Sequence, residues 1–239
     1  MVAPKTLTRR RTCAVVGAGP GNGAAFGRCF ASEGYDVALM ARDVARLREL
    51  ARTIPGSSAF ECNVMDERSV EGAFSAIAND LGPVDVLVYN AGNFVPGAVD
   101  TDLRVVEECF RVNVLGCLAS VQRVVPAMRE SGGGAIVVVG ATASLRGAAH
   151  ALPFAAAKAG QRAMAQSLAR QLGPEGIHVA YVVVDAVIDT PWTRTFFSDR
   201  PDEFFARPDD VASVVLHLTQ QPRSAWSFEL DLRPHVEKW

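Results

Sequence analysis

The sequence predicts a doubly wound α/β fold, in which about seven parallel strands form one sheet with helices on both faces, built by a single domain of residues 1–239. Short apolar runs alternate with amphipathic segments along all 239 residues. Several of these runs are apolar throughout, as strands buried on both faces are. The first run leads directly into the glycine-rich stretch GAGPGNG, residues 17–23, here called the glycine turn. A turn of this kind is typical of the passage from a first strand into a helix.

The predicted elements follow one another in a regular order. Strands are predicted at 12–16, 36–40, 57–61, 84–90, 135–140, 177–184 and 226–232. Helices are predicted at 23–34, 43–53, about 66–80, within 101–130, from about 153 and from about 208. Asp43 suits an N-cap, and Pro153 and Pro208 suit a first helical turn, where no amide donor is lost. Ligands are expected at the carboxyl ends of the strands.

Composition and charge argue against several classes of protein. A net charge of −2 and a pI near 6.1 do not suit a nucleic-acid binder, and the basic run at residues 9–11 is interpreted as a solvated edge. No apolar run approaches the ~18 residues of a membrane span, and no signal-peptide core is present. The five cysteines never occur in CxxC spacing, so no metal site or disulfide framework is predicted. We expect a cytoplasmic protein with an N-terminal arm, residues 1–11.

The glycine turn predicts dinucleotide binding. The chain must turn sharply there, approach a pyrophosphate closely and direct helix amides at it. Its spacing departs from GxGxxG, because Asn22 stands where the third glycine is expected. A glycine-rich turn alone also occurs without any ligand, but its place between a first strand and a helix favours a cofactor. The residues expected at the cofactor are Gly17, Gly19, Gly21, Asn22 and Gly23.

Further motifs, in this order along the chain, resemble the short-chain dehydrogenase/reductase family over roughly residues 12–232. The glycine turn resembles the cofactor loop of that family, YNAG (89–92) its NNAG motif, FAAAK (154–158) its YxxxK motif, and VIDT (187–190) the turn whose threonine contacts the nicotinamide side. Asn113 stands at the position of the catalytic asparagine. The resemblance implies a Rossmann-type oxidoreductase, and it adds to the expected cofactor contacts Asn63, Val64, Asn90, Ala91, Gly92, Lys158, Ile188 and Thr190.

Lys158 is one of only three lysines in a chain with 21 arginines. The resemblance implies that it bonds the nicotinamide ribose. A compact ammonium with three donors suits two ribose hydroxyls better than a planar guanidinium does. The alternative is a solvated helix residue.

Two catalytic positions of the family are altered. Phe154 replaces the tyrosine and Ala141 the serine, so that only Asn113 and Lys158 of the catalytic tetrad remain. A positioned general acid contributes about 10² to 10⁴ in rate. Either another group donates the proton, or the fold has given up carbonyl reduction. In the second case the protein is a cofactor-binding sensor or scaffold, or a lyase or isomerase that reuses the pocket.

Several residues are candidates for the missing donor. Thr142 and Ser144 flank the vacated serine position, although such hydroxyls more often bond their own loops. His150 has a suitable pKa range, but a lone loop histidine is usually just exposed. Asp185 ends an apolar strand where the family has Pro-Gly, and it either carries a proton or caps a loop. Tyr181 is expected to be a core residue.

Arg42 determines the predicted cofactor. NAD-binding proteins have an acidic residue at the end of the second strand, whereas this chain has Ala41 followed by Arg42. A guanidinium can clamp a 2′-phosphate, which favours NADP(H) over NAD(H). Asp43 is the rival NAD-type residue, although an N-cap also explains it.

Residues 189–207, here called the lid, hold five aromatic residues. An aromatic lid predicts an apolar or ring-bearing substrate, and the alternative is a satellite core. The resemblance implies that this substrate is a small carbonyl compound, alcohol or related unsaturated compound. The long helices and the apolar C-terminal segment resemble the dimer and tetramer faces of the family, so a homodimer or homotetramer is expected.

Overall fold

The computed structural model describes residues 9–238, so residues 1–8 of the predicted arm lie outside its description. Its strands are β1 (Thr12–Val16), β2 (Asp36–Ala41), β3 (Ser57–Glu61), β4 (Val84–Tyr89), β5 (Gly134–Ala141), β6 (Ile177–Val184), β7 (Val187–Ile188), β8 (Phe205–Ala206) and β9 (Glu229–Leu232). Seven of them form one sheet in the order β3-β2-β1-β4-β5-β6-β9, and every pairing is parallel. Strand order reverses between β1 and β4, which opens a crevice above their carboxyl ends.

Eight α-helices connect these strands in the described part of the chain. They are α1 (Asn22–Ser32), α2 (Val44–Arg52), α3 (Glu67–Asp80), α4 (Leu103–Phe110), α5 (Gly116–Glu130), α6 (Leu152–Leu172), α7 (Pro191–Phe196) and α8 (Pro208–Thr219). A π-helical turn, Arg111–Leu115, joins α4 to α5. The predicted strand at 226–232 is shorter, because the Trp226 indole and the Ser227 amide bond to Gln221 instead.

The hydrophobic core forms two layers, one on each face of the sheet. Helices α3, α5 and α6 cover one face, where Phe74, Tyr89 and Tyr181 are buried. Helices α1, α2 and α8 cover the other face, where Phe26 and Leu39 are buried. The doubly wound fold predicted from the apolar runs is therefore confirmed.

Helix α1 differs from the next three helices, α2, α3 and α4, in how it begins. Asp43, Asp66 and Asp102 cap α2, α3 and α4, each accepting a hydrogen bond from a backbone amide of the first turn. Helix α1 starts after Gly21 with no side-chain cap bond and no acidic residue in its first turn. The Ala24 amide bonds the Gly19 carbonyl at 2.8 Å, so the Asn22 and Gly23 amides are the ones left for water or an anionic ligand.

The basic run, the cysteines and the helix lengths can be compared with what the composition predicts. Arg9 and Arg10 pair with Asp85 and Asp36, as suits a solvated edge. All five cysteines are free thiols, and Cys29 is the one among them that is not fully buried. Within residues 9–238, no helix is both long and apolar enough to cross a membrane.

Candidate active site

A cavity of about 420 Å³ lies at the carboxyl ends of the central strands. Its walls come from the glycine turn after β1 and from the segments that follow β2, β3 and β4. Glu108 and Val112 close one side of it from the α4 region. Of the residues predicted to hold a cofactor, those lining this cavity are Gly17, Gly19, Arg42, Asn63, Val64, Asn90, Ala91 and Gly92.

The glycine turn is closely packed on one side and open on the other. Gly17 has φ +86°, and a Cβ there would lie 2.5 Å from the Ala91 amide nitrogen. The Asn90 side chain donates a hydrogen bond of 2.8 Å to the Gly17 carbonyl, which fixes the turn against β4. A Cβ on Gly19, in contrast, would meet nothing within 4 Å. The open side, next to the uncapped start of α1, fits a pyrophosphate.

A second group of predicted residues surrounds Gly21 and does not line the cavity itself. A Cβ on Gly21 would lie 2.9 Å from Thr190 Cγ2 and 3.7 Å from Ile188 Cγ2. Thr190 is held there as the N-cap of α7, where its hydroxyl accepts from the Thr193 amide. Asn22 and Gly23 form the first turn of α1. The structure thus brings the VIDT segment to the glycine turn.

Arg42 and Asp43 differ in what their side chains contact. Arg42 is exposed and lines the rim of the cavity directly after β2. The Asp43 carboxylate accepts from the Arg46 amide at 3.1 Å as the cap of α2. The acidic side chain is therefore engaged by its own helix, whereas the guanidinium is available at the cavity.

Asn113 is completely buried in the π-helical turn. Its Nδ2 donates to Asn93 Oδ1 at 3.0 Å and to the Cys109 carbonyl at 2.9 Å. The Tyr89 hydroxyl donates to the Val112 carbonyl at 2.5 Å and holds the turn against β4. Asn113 Oδ1 has no hydrogen-bond partner among the described residues.

Lys158 is 4 % exposed, so the solvated-helix alternative is wrong. Its Nζ donates to the Val139 carbonyl and to Gln161 Oε1, both at 2.9 Å. Burial lowers the pKa of this ammonium to about 8. A Cβ on Gly92 would lie 3.6 Å from Lys158 Nζ and 3.2 Å from Asn113 Oδ1. One ammonium donor and one unpaired amide oxygen therefore lie beside the same point, an arrangement that fits a hydroxyl group of a cofactor.

Comparison with known proteins identifies the family. The family model described as short chain dehydrogenase matches residues 11–201. The chain belongs to the short-chain dehydrogenase family. It is 30 % identical to the 3-oxoacyl-(acyl-carrier-protein) reductase MabA of Mycobacterium tuberculosis, over 90 % of this chain and 87 % of that protein.

Two solved structures are similar throughout. A short-chain dehydrogenase from Rhodopseudomonas palustris superposes with a TM-score of 0.82 at 33 % identity, covering 95 % of this chain and all of that one. A variant of actinorhodin polyketide ketoreductase, solved with NADPH, gives a TM-score of 0.86 at 26 % identity, covering 96 % and 98 % of the two chains. The match extends over nearly the whole chain, which therefore has the short-chain dehydrogenase fold with nucleotide-binding architecture.

This member of the short-chain dehydrogenases has a hydrocarbon surface at the altered positions. Phe154 is half-buried, with its ring centroid 5.8 Å from Lys158 Nζ. Phe94 meets the ring edge-on at 5.3 Å between centroids, and 64 % of Phe94 is exposed. Ala141 ends β5 opposite Val184. Neither Phe154 nor Ala141 can donate a proton.

The candidate substitute donors occupy different environments. Thr142 donates to Asp185 Oδ1, and Asp185 Oδ2 lies 3.8 Å from an Arg233 nitrogen. Ser144 is buried and donates to the Ala141 carbonyl at 2.6 Å. His150 is exposed in the loop before α6. Neither the Ser144 proton nor the Thr142 proton points freely into a pocket in this arrangement.

Tyr181 is a core residue, as expected. It is completely buried, and its ring lies over Gly140, where a Cβ would come within 2.5 Å of the phenol oxygen. The hydroxyl lies 3.4 Å from the Lys158 carbonyl. This phenol packs beneath α6 and does not replace the missing tyrosine.

Some aromatic residues of the lid are buried, as in a satellite core, and others are exposed, as in a lid over a substrate. Phe205 is buried, Phe204 packs against it edge-on, and the Arg194 guanidinium lies 4.0 Å from the Phe205 ring centroid. Trp192 and Phe196 contact each other but are 67 % and 65 % exposed. The inner residues are a satellite core, and the outer pair is free to contact a ligand.

Three residues of the site were missed from the sequence. Gln161 is completely buried, and its Nε2 donates to the Asn113 carbonyl at 2.6 Å. Asn93 accepts from Asn113, and Glu108 lines the cavity. A signal was available for Gln161, because it follows Lys158 by three residues and so shares its helix face. Asn93 and Glu108 carry no such signal.

Proposed function

We propose that this protein is an NADP(H)-dependent oxidoreductase acting on a small, apolar carbonyl compound or the corresponding alcohol, with an atypical proton donor. The proposed cofactor preference rests on the two residues that follow β2, Arg42 and Asp43. Arg42 is exposed at the cavity rim, while Asp43 is engaged as a helix cap. A guanidinium recognises a 2′-phosphate through paired, charge-assisted hydrogen bonds. The actinorhodin ketoreductase structure with NADPH supports the same choice.

The residues present fit such a cofactor at three places. Arg42 would hold the 2′-phosphate, the open side of Gly19 together with the start of α1 would hold the pyrophosphate, and Lys158 would hold the ribose at the nicotinamide end. Asn63 and Asn90 line the same cavity. When bound, NADPH supplies a hydride.

The proposed substrate class rests on exposed aromatic rings. Phe94 stands beside Phe154, and Trp192 and Phe196 are exposed on the lid. Apolar and aromatic walls with few polar groups are typical of pockets for small apolar ligands. The relative from Mycobacterium tuberculosis is named a 3-oxoacyl reductase, which supports a carbonyl group as the reacting centre.

A second candidate function follows from Phe154 and Ala141. A protein that binds the cofactor without transferring hydride, as a sensor, scaffold, lyase or isomerase, needs neither the tyrosine nor the serine. Such a protein would bind NADPH but oxidise none of it with any carbonyl compound. For either function, we propose a cytoplasmic protein that assembles into a homodimer or homotetramer.

Calorimetry with NADPH and NADH tests the cofactor assignment. NADPH should bind more tightly, and Arg42→Ala should reduce that preference roughly 10- to 100-fold, the scale of one charge-assisted contact. Arg48→Ala, which removes another exposed arginine from the same region, is the matched control and should leave the preference unchanged. Equal affinity of the unmutated protein for both cofactors would contradict the assignment.

Turnover with a panel of ketones, quinones and enones tests the reaction. We expect NADPH oxidation with at least one apolar or aromatic member of the panel. NADPH binding without any oxidation would favour the second candidate function.

A further inference from the structure

Gln161 closes a buried polar cluster that consists of Asn113, Lys158 and Gln161. Its Oε1 accepts from Lys158 Nζ at 2.9 Å, and its Nε2 donates to the Asn113 carbonyl at 2.6 Å. All three side chains are at least nine-tenths buried. The Gln161 side chain, one helix turn after Lys158, therefore contacts both tetrad residues that this chain retains, Asn113 and Lys158.

Among the described residues, no carboxylate pairs with the Lys158 ammonium. Cys117 on α5 and Tyr181 on β6 face it, and burial raises the pKa of both groups, to about 12 for Cys117. Both groups are therefore neutral near pH 7. Glu108 on α4 lines the neighbouring cavity. Burial among neutral groups favours the uncharged amine, which is why the pKa of Lys158 falls to about 8.

The ammonium has one donor beyond its two bonded ones. An ammonium has three N–H donors, and Val139 and Gln161 accept two of them. Asn113 Oδ1 lacks a partner among the described residues. A Cβ on Gly92 would lie 3.2 Å from this oxygen and 3.6 Å from Nζ, so both atoms border the same point. A hydroxyl group or water at this place can accept from Lys158 and donate to Asn113. A water can at the same time direct its second proton into the pocket, whereas a hydroxyl group turns its single proton either to Asn113 or into the pocket.

We propose that Gln161 is a positioning residue and that the cluster it closes delivers the proton that Phe154 cannot, from the Lys158 ammonium through a hydroxyl or water held at Asn113 Oδ1. The proposal rests on the proposed oxidoreductase function. It assigns to Lys158 the acid role that the sequence left open, and it explains why a glutamine is buried beside the lysine on this helix.

The proton step balances with the hydride. In reduction, the substrate carbonyl carbon gains the hydride that NADPH supplies, the C=O π bond breaks, and its electron pair moves to the oxygen. The oxygen takes a proton from the held hydroxyl or water, which takes one in turn from Lys158 Nζ. The ammonium becomes an amine and recovers its proton from solvent water. In alcohol oxidation, the amine accepts the proton along the same route.

Lysine NMR tests the positioning role without a cofactor. Because the chain has three lysines, ¹³Cε labelling gives three signals, and Lys158→Arg identifies the one from Lys158. We expect this signal to titrate near pH 8. Gln161→Glu places a carboxylate at the ammonium and should raise the Lys158 pKa, whereas Gln161→Met removes an acceptor and should lower it. Gln171→Leu, at an exposed position of α6, should change nothing.

The pH dependence of kcat for reduction tests proton delivery. Reduction requires the ammonium, so kcat should fall as pH rises through the Lys158 pKa, and the midpoint should follow the NMR value in Gln161→Glu and Gln161→Met. The kcat of Gln161→Met should fall roughly 10²-fold. A midpoint that stays fixed while the NMR pKa moves would overturn proton delivery by Lys158, and an unmoved NMR pKa would overturn the role of Gln161. Absence of NADPH binding would instead refute the proposed function and proton delivery together, with the titration still deciding on Gln161.

Discussion

At the residue scale, the ring of Phe154 makes the nicotinamide end of the pocket apolar. The ring faces Phe94 edge-on, and its centroid lies 5.8 Å from the Lys158 ammonium. A phenol at this position would place a donor between the ammonium and the substrate. The phenyl ring has no proton to give, so a proton from the ammonium can reach the substrate only by the longer route through a held hydroxyl or water. Proton transfer to an ordinary ketone should therefore be slow.

Restoring the two altered groups tests this interpretation. Phe154→Tyr together with Ala141→Ser adds one hydroxyl at each site, and the double variant should gain ketone reduction by a factor on the order of 10² or more. Each single substitution should gain less, because donor and orienting group act as a unit. The measurement is NADPH oxidation with an aromatic ketone. The absence of a gain in a double variant that still binds NADPH would mean that the pocket serves other chemistry.

At the element scale, the lid has a fixed inner part and an exposed outer part. Strands β7 and β8 pair through Val187 and Ile188 with Phe205 and Ala206. The Arg194 side chain bonds Asp189 at 2.7 and 2.9 Å, which ties α7 to the segment before it. Trp192 lies on the same short helix but is exposed. The inner contacts hold the lid in place, and the outer ring pair is available to a substrate.

Two alanine variants separate these parts. Phe205→Ala removes a buried ring and should lower the free energy of unfolding by about 3 kcal/mol, the lower end for such a change in a core. Trp192→Ala should change it by less than about 0.5 kcal/mol and should raise KM for an aromatic substrate several-fold. Urea unfolding and steady-state kinetics are the measurements. Equal loss of stability in both variants would contradict the division of the lid.

At the scale of the whole molecule, the buried ammonium links stability to pH. The pKa of Lys158 is about 8 in the folded protein, against an ordinary lysine pKa of 10.5. Between these values the unfolded chain binds more protons than the folded protein, so stability rises with pH across this window. Below pH 8 both states are charged at this site, and the destabilisation is constant. The contribution is opposite in sign to that of a lysine that gains an anionic partner.

Lys158→Met removes this linkage. Measured by urea unfolding, the unmutated protein should gain on the order of 2 to 3 kcal/mol relative to the variant between pH 7 and pH 10. Any fixed cost of the substitution cancels in this difference. Lys238→Met, at an exposed position near the C-terminus, is the control and should show no such gain. A difference that is independent of pH would mean that the folded Lys158 keeps its ordinary pKa.

Local patterns in the sequence determined the fold and the family. Apolar runs predict buried strands because a strand covered on both faces has no solvated side. The glycine turn predicts a close backbone approach because only glycine tolerates φ +86° beside Ala91. Arg42 could be placed at the cavity rim because it follows a predicted strand. Phe154 could be placed beside Lys158 because the two are four residues apart on one helix. These inferences depend on neighbours in the chain, which a sequence contains directly.

Contacts between distant segments were decided only by the tertiary structure. The π-helical turn buries Asn113 and leaves its Oδ1 without a partner among residues 9–238. No residue type in RVNVL signals a π turn. Gln161 meets the carbonyl of Asn113 across 48 positions of sequence, and Asp185 meets Thr142 across 43. Whether the lid aromatics are buried or exposed also depends on how β8 pairs with β7. Hydrogen bonds and burial of this kind arise from the packing of whole elements, so the residue pattern of any one segment does not determine them.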